Sequence, residues 1–493
     1  MSRKINRREF IRYGVLAGAA FGTSRFSMMG VDAAEFVGSP PRSETFDVVV
    51  IGTGLAGMSA AISAAENSAK VVLLEKQQQA LAGGSSALAL GGFSLPEADT
   101  PEARQLFIDE YIKKSGGRAD RALIQVLAEN ITRDIEWLTG RGANLMEAVP
   151  ARPYRTMSRQ AAPGSFRGMP RLLAALHTEA KKINIAEVYR AKAQTLLVDS
   201  TTGRVVGLRA QTPTGFVDYR AKATVLATGG YAANPKMLEQ WIGPNGDESL
   251  VRGAKWLTGD GLRMAEEMGA GLIQMGGLDS VHVAGVSPKN PASGQPSAVL
   301  AHVIGINKVG QRFIDESLGY VAFGKAIFDQ PRTEAALIFD QAMAEARPGK
   351  SVIDQYTNFK LDIVKVDTLE ELAGRIGCSA PALIETVTKF NAAVQDGKAP
   401  TAIPPKAALA NKVERSPFYA IYPLKPGLTQ TFGGLRINTS CQVLEADGTP
   451  IRGLYAAGEV TGGFFSIDYI GGGSLSRCVV TGRAAGKNAA KET

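Results

Sequence analysis

Phe46-Asp47-Val48-Val49-Val50-Ile51-Gly52-Thr53-Gly54-Leu55-Ala56-Gly57 decides how the chain is read. A short, mostly apolar run bounded by polar residues reads as a buried parallel strand. It leads straight into Gly-x-Gly-x-x-Gly, which opens the helical stretch Met58–Asn67. A second apolar strand, Val71-Val72-Leu73-Leu74, ends on Glu75, 18 residues beyond Gly57. The glycine spacing alone is a weak signal, but here every part has a task. Gly52, Gly54 and Gly57 permit the tight turn and close backbone approach. The helix start at Leu55 and Ala56 takes a pyrophosphate, and Glu75 accepts from ribose hydroxyls. The fold class expected is α/β, with a Rossmann-type dinucleotide-binding domain.

Later segments indicate FAD rather than NAD. Gly83-Gly84-Ser85-Ser86 and Gly91-Gly92 form a second glycine-rich loop shortly after Glu75. Thr224-Val225-Leu226-Ala227-Thr228-Gly229-Gly230 is a strand ending in a small-residue turn, and Gly453-Leu454-Tyr455-Ala456-Ala457-Gly458-Glu459 is another ending in an acid. A ligand held by segments hundreds of residues apart has the reach of an extended FAD. Strand-like stretches at Gln194–Val198, Arg204–Gln211 and Phe216–Arg220 suggest a small meander over the adenine side.

Length and composition fit a folded enzyme of two domains: 493 residues, 45% hydrophobic and 21% charged. The net charge of +8 is inflated by residues 1–33, which hold Arg3, Lys4, Arg7, Arg8, Arg12 and Arg25 against Glu9 and Asp32. The remainder carries 49 basic and 45 acidic residues, a net of +4, with no basic run interleaved with aromatics. Nucleic acid is therefore not an expected partner. Three cysteines and three histidines are too few and scattered for a disulfide framework or a zinc site, and no Cys-x-x-Cys-His occurs.

The paired Arg7-Arg8 before an apolar stretch, about Tyr13–Phe21, with small residues at Val31-Asp32-Ala33, reads as a twin-arginine signal peptide over 1–33. Export to the periplasm of a protein already loaded with cofactor is the expectation. About ten apolar residues cannot span a bilayer, which needs about 20, so the protein is not expected to be integral to a membrane.

The run Val48–Gly92, the Ala-Thr-Gly-Gly turn, Gly259-Asp260-Gly261 and Ala-Ala-Gly-Glu-Val-Thr-Gly-Gly at 456–463 resemble the flavoprotein subunits of the fumarate reductase and succinate dehydrogenase superfamily. The resemblance implies an FAD-binding domain (44–276 and 431–493) interrupted by an α+β capping domain (277–430), with substrate between them. It adds Lys76, Ala193, Asp260, Ser474 and Leu475 to the cofactor contacts. Relatives that bind FAD covalently use a histidine where Ser85 stands here, so noncovalent FAD is expected.

Dicarboxylate reductases of that superfamily grip substrate with cations, and this chain departs from them. Tyr320 stands where the proton-donating arginine would fall, Tyr469 replaces the arginine before the last glycine turn, and Gln430 replaces a histidine. Pro296 and Val299 stand in place of a glutamate and an arginine, leaving His282. A pocket without these cations is a poor host for two carboxylates. Glu316 four residues before Tyr320, with Tyr-x-Gly-x-Gly at 469–473, is similar to the 3-ketosteroid dehydrogenases of the same superfamily. That likeness implies that Tyr320 helps remove a proton beside a ketone, while Tyr469 and the Gly473 N–H polarise the carbonyl. Tyr154 is a further candidate, and Phe323, Phe464, Phe465 and Ile470 would wall a ring. The expected activity is FAD-dependent desaturation of a cyclic ketone to an enone, passing electrons to a cytochrome, quinone or oxygen. The alternative is an enoate reductase of the fumarate or urocanate type.

Overall fold

The parallel sheet forms where the sequence is most apolar. In the computed structural model, which describes residues 41–89, 91–150, 157–160, 168–285, 294–468 and 470–492, Val48–Ile51 lies at its centre with every side chain buried. Val71–Glu75 and Ala223–Leu226 flank it in parallel. Ala186–Tyr189 extends one edge and Pro450–Ala456 the other, and Gln442–Leu444 closes the latter edge antiparallel. The chain thus builds outward on one side of Val48–Ile51 and then crosses to the other. Open α/β sheets bind ligands at such a switch point, outside the carboxyl ends of the strands. Here those ends are Gly52 and Ala227.

Lys192–Val198, Val205–Thr212 and Gly215–Arg220 form the meander that was read from the sequence. A fourth strand, Arg42–Thr45, joins it in parallel with Gly215–Arg220; Arg-Ser-Glu-Thr gave no apolar alternation to signal it. A second large sheet is organised by the long strand Phe418–Thr431. It pairs with Ala335–Asp340, Leu278–Val283, Val364–Val366 and Leu250–Val251, and Ile304–Asn307 lies beyond Ala335–Asp340. Leu278–Val283 belongs to this sheet, although the stretch from Asp279 onward carries no readable pattern. Asp279 and Ser280 break the alternation and yet are both buried.

Two helices aim at the switch point. In the packing of Leu55–Glu66 against Gly473–Ala490, a Cβ on Gly482 would stand 2.5 Å from Ala56 O, and one on Gly486 2.1 Å from Ala60 O. Only glycine lets the backbones meet so closely. The pairing makes the helices parallel and staggered, so the start of the C-terminal helix lies about 12 Å beyond Leu55 at 1.5 Å per residue. Two positive helix ends are thereby offered to one elongated region.

Candidate active site

The first three glycines divide their work. Gly52 sits at φ +104°, and a Cβ there would be 2.4 Å from Ala227 O; a Cβ on Gly57 would be 1.7 Å from Gly52 O. Both serve backbone packing. Gly54 would bring its Cβ no nearer than 3.5 Å to Ser86 Oγ, so its missing side chain opens the cavity instead. That cavity is lined by Gly52, Gly54, Leu55, Ala56, Glu75, Lys76, Gly84, Ser85, Ser86, Ala193, Thr228, Gly229 and Asp260. Glu75 Oε2 accepts from Thr53 N (3.2 Å) and Thr53 Oγ1 (2.6 Å), and Oε1 from Gln77 N (2.8 Å). A carboxylate has about four acceptor positions, so one on Oε1 remains for a ribose hydroxyl. Lys76 Nζ pairs with Asp260 Oδ2 at 2.7 Å. Burial works to raise the Asp260 carboxyl, but Lys76 and Thr258 outweigh it and hold the group below its ordinary value.

A second cavity of about 920 Å³ shares Ser85, Ser86, Glu459 and Cys478 with the first. One elongated ligand can run through both, which suits FAD, with its nucleotide in the first cavity and its ring system in the second. Gly91, Gly92, Ser474 and Leu475 line the second cavity from the cofactor side, and Leu318, Tyr320 and Val321 from the cap. Ser85 Oγ accepts from Ala254 N at 3.0 Å, fixing it at the join. The Glu459 carboxyl is pushed up by burial, with Thr431 N–H (2.9 Å) and Arg477 opposing. Arg477 is fully buried, donates to Thr461 O at 3.1 Å, and lies over the rings of Phe465 and Phe464.

Several residues on this wall were not foreseen: Lys114, Arg252, Asp279 and Asp468. The cavity is thus not stripped of cations. The motif positions lost theirs, but Lys114 comes from the end of the helix Pro101–Lys114 and Arg252 from the residue after Leu250–Val251. Lys114 is ion-paired with Asp468. Asp279, 2% exposed, receives a hydrogen bond on Oδ2 from Thr429 Oγ1, while its Oδ1 meets no donor among the described residues. Burial pushes its carboxyl up to about 6, with Asp468 adding to the shift and Thr429, Gln430 and Arg252 opposing it. An acid set among Leu278, Val281 and Val283 was the one sequence signal available for it.

Other expected residues fall outside the cavity wall. Gly83 N–H donates to Thr53 Oγ1 at 3.0 Å, and Gly458 N–H donates to Thr481 Oγ1 at 2.9 Å. Gly230 packs so tightly that a Cβ would lie 2.4 Å from Glu459 Oε1. Gly473 N–H is engaged with Ile470 O at 2.9 Å, so it does not face a substrate carbonyl in this structure. The aromatic wall is corrected as well. Phe323 is buried in the cap core against Gly305 and Phe313, because the turn of Tyr320–Ala326 presents Val321 to the cavity instead. Phe464, Phe465 and Ile470 belong to the main core. Val299 is buried in the cap core, and Gln430 lines the cavity and accepts from Ser474 Oγ. Tyr154, Tyr469, the side chain of His282 and the leader lie outside the described residues. Among the described residues no helix is long and apolar enough to cross a membrane.

Comparison with known proteins agrees with this geometry. The FAD binding domain family matches residues 47–475. The chain is 31% identical over 462 residues to a probable fumarate reductase of Shewanella frigidimarina, covering 91% of this chain and 75% of that protein. Its structure is similar to the open conformation of a flavocytochrome c3 fumarate reductase, with a TM-score of 0.76 and 29% identity, covering 99% of this chain and 82% of the other. It is also similar to the 3-ketosteroid-Δ4-(5α)-dehydrogenase of Rhodococcus jostii RHA1, with a TM-score of 0.73 and 27% identity, covering 91% and 99%. With a dinucleotide cradle at the switch point, a cavity continuing from it under a cap, and this kinship, the chain belongs to the FAD binding domain family and is an FAD-dependent oxidoreductase acting on CH–CH groups.

Proposed function

We propose that the protein introduces a C=C bond α,β to the carbonyl of a cyclic ketone, cyclohexanone-like or a 3-ketosteroid. The observation that carries this reading is the charge balance of the second cavity. Lys114, Arg252 and Arg477 on its wall are matched by Asp279, Glu459 and Asp468. A dicarboxylate would bring two more buried negative charges to a wall whose own cations are already matched, with Lys325 beside Asp468 and Asp279 to set against them, whereas a neutral ketone brings none. Tyr320, on the cap side, assists departure of the α-proton. Tyr469, with N–H groups at the start of the C-terminal helix, polarises the carbonyl and stabilises the developing enolate. Gly473 N–H was the expected partner; Ser474 and Leu475, the next along that helix, line the cavity and take its place. FAD, when bound, supplies the two-electron oxidant for the hydride leaving the β-carbon.

The test is anaerobic. A saturated cyclic ketone should bleach the oxidised flavin, and failure of steroids and cyclohexanones alike to do so removes the assignment. Arg252 and Lys114 favour one second reading, reduction of an enoate whose single carboxylate they would grip. In that case the enoate reoxidises chemically reduced flavin and saturated ketones do nothing. We further propose that FAD is held noncovalently, since Ser85 offers no linking nitrogen, so acid precipitation should leave free FAD in the supernatant. Export through the twin-arginine pathway and an external electron acceptor complete the proposal. Changing Arg7 and Arg8 to Lys should strand a yellow protein in the cytoplasm.

A further inference from the structure

Between Leu278–Val283 and Phe418–Thr431 the register slips by one residue. Asp279 lies opposite Gln430, but Ser280 lies opposite Leu428. Thr429 is therefore the extra residue of a β-bulge, a device that re-aims side chains. In a regular strand Thr429 and Gln430 would point to opposite faces. Here both line the second cavity together with Asp279. The bulge gathers a carboxyl, a hydroxyl and an amide at one point of the wall and buries the carboxyl; Oδ1 meets no donor at hydrogen-bond geometry among the described residues, although the Gln430 amide acts on the same carboxyl.

We propose that Asp279 is the proton-transfer residue of this site, accepting the proton from the carbon beside the substrate's carbonyl when a C=C bond is made and returning it when one is reduced. This rests on the assignment of CH–CH chemistry to the second cavity, and it supplies what Tyr320 lacks. A phenol of ordinary pKa about 10 holds its proton at neutral pH and needs a base beside it to receive another. In the oxidative direction the α C–H bond breaks and its electrons become the second bond of C=C. The proton forms Asp279 Oδ1–H, and bound FAD would supply the two-electron oxidant that takes the β-hydrogen as hydride. The charged and polar groups facing Asp279 are Arg252, Asp468, Lys325, Thr429 and Gln430. Arg252 and Lys325 favour its charged form and Asp468 its neutral form, so opposed influences act on the one carboxyl. Its raised value of about 6 places both protonation states within reach of neutral conditions.

The sign differs with direction. Oxidation needs the carboxylate, so its rate rises as pH rises through about 6; reduction needs the acid, so its rate falls over the same interval. The experiment is rapid-mixing flavin reduction by a saturated ketone, or reoxidation by an enoate, in the holoenzyme from pH 5 to 8. It is paired with nuclear magnetic resonance of α-hydrogen exchange into deuterated water. Asp279→Asn should slow both readouts about 10²-fold or more, retain flavin, and lose the limb near pH 6. Tyr320→Phe should slow turnover but keep that limb. Thr429→Val, which removes the donor to Oδ2, should move the limb to higher pH, which a purely structural role would not do. An Asp279→Asn protein that turns over within threefold of wild type, or a wild type with no limb between pH 5 and 7.5, overturns the proposal. Since whichever substrate class reacts can be used, failure of ketones alone sinks the ketone reading and leaves Asp279 to be judged on enoates.

Discussion

The nucleotide end and the substrate end of this site are assembled in different ways. The wall from Ile51 to Lys76 is a single βαβ segment, and much of its work is done by backbone: a turn at Gly52, an open face at Gly54, and a helix start at Leu55. The second cavity takes side chains from Lys114, Arg252, Asp279, Tyr320, Thr429, Asp468 and Arg477, on segments far apart in the chain. Backbone sites tolerate no added atoms, and side-chain sites tolerate no lost ones. Substitutions that add a methyl should therefore be worst at the first end, and substitutions that remove a polar atom worst at the second.

The sharpest break of that comparison is Gly57→Ala. Its Cβ would overlap Gly52 O at 1.7 Å, and neither the strand end nor the helix can retreat without opening the core. A cost of about 3 kcal/mol or more is expected, the upper range of overpacking, with flavin lost on purification. Gly54→Ala meets only ordinary contacts, at 3.5 Å and beyond, so its fold should survive while FAD affinity falls. Thermal unfolding and the flavin-to-protein absorbance ratio distinguish the two. Equal melting temperatures for these variants would show that the glycines do not divide their work in this way.

The counterpart in the proposed chemistry is Tyr469→Phe, which adds nothing and removes one hydroxyl. If it polarises a carbonyl, turnover should fall about 10²–10³-fold with flavin fully retained. Wild-type rates would make Tyr469 a packing residue and remove the carbonyl-polarising step from the ketone reading.

What could be read in the sequence follows the same division. Gly52, Gly54, Gly57 and Glu75 were legible because their demands are local: a backbone angle, a close approach, an acid ending a strand. Ser85, Thr228 and Gly229 were legible in small-residue turns and Asp260 through resemblance, and the structure brings them to one cavity. Asp279 and Arg252 were not, because their meeting depends on a register slip at Thr429 and on Leu250–Val251 joining the cap sheet. Neither leaves a spacing in the chain. Phe323 was misplaced for a related reason. A seven-residue helix has too few turns for its buried face to be phased from sequence, and the core took the phenylalanine while Val321 faced the cavity.

Glu75→Ala sharpens the comparison at intermediate size. It removes an acceptor for ribose but also releases Thr53 and Gln77, whose N–H groups Glu75 now receives. Hydrogen bonds to a charged group contribute about 1.5–3 kcal/mol, so FAD affinity should weaken roughly 10- to 100-fold. Titration of apoprotein with FAD, followed by flavin fluorescence, measures it. Unchanged affinity would mean that Glu75 serves only the turn.

The smallest effect belongs to Asp260→Asn, which keeps shape and removes one charge beside Lys76. The pair is mostly buried and singly hydrogen-bonded at 2.7 Å, so its worth should lie near the upper end for such pairs, about 1 kcal/mol. Its pH dependence has a definite sign. The folded Asp260 carboxyl lies below its ordinary value, so the unfolded chain takes up a proton first as pH falls. The stabilisation is complete above about pH 5, where both states are ionised, and fades below about pH 4 as the unfolded and then the folded carboxyl protonates. Urea denaturation of wild type and Asp260→Asn should therefore differ at pH 7 and converge toward pH 3. A difference that persisted undiminished at pH 3 would mean that Asp260 acts through shape and hydrogen bonding. The ion pair to Lys76 would then have no part in holding the nucleotide end together.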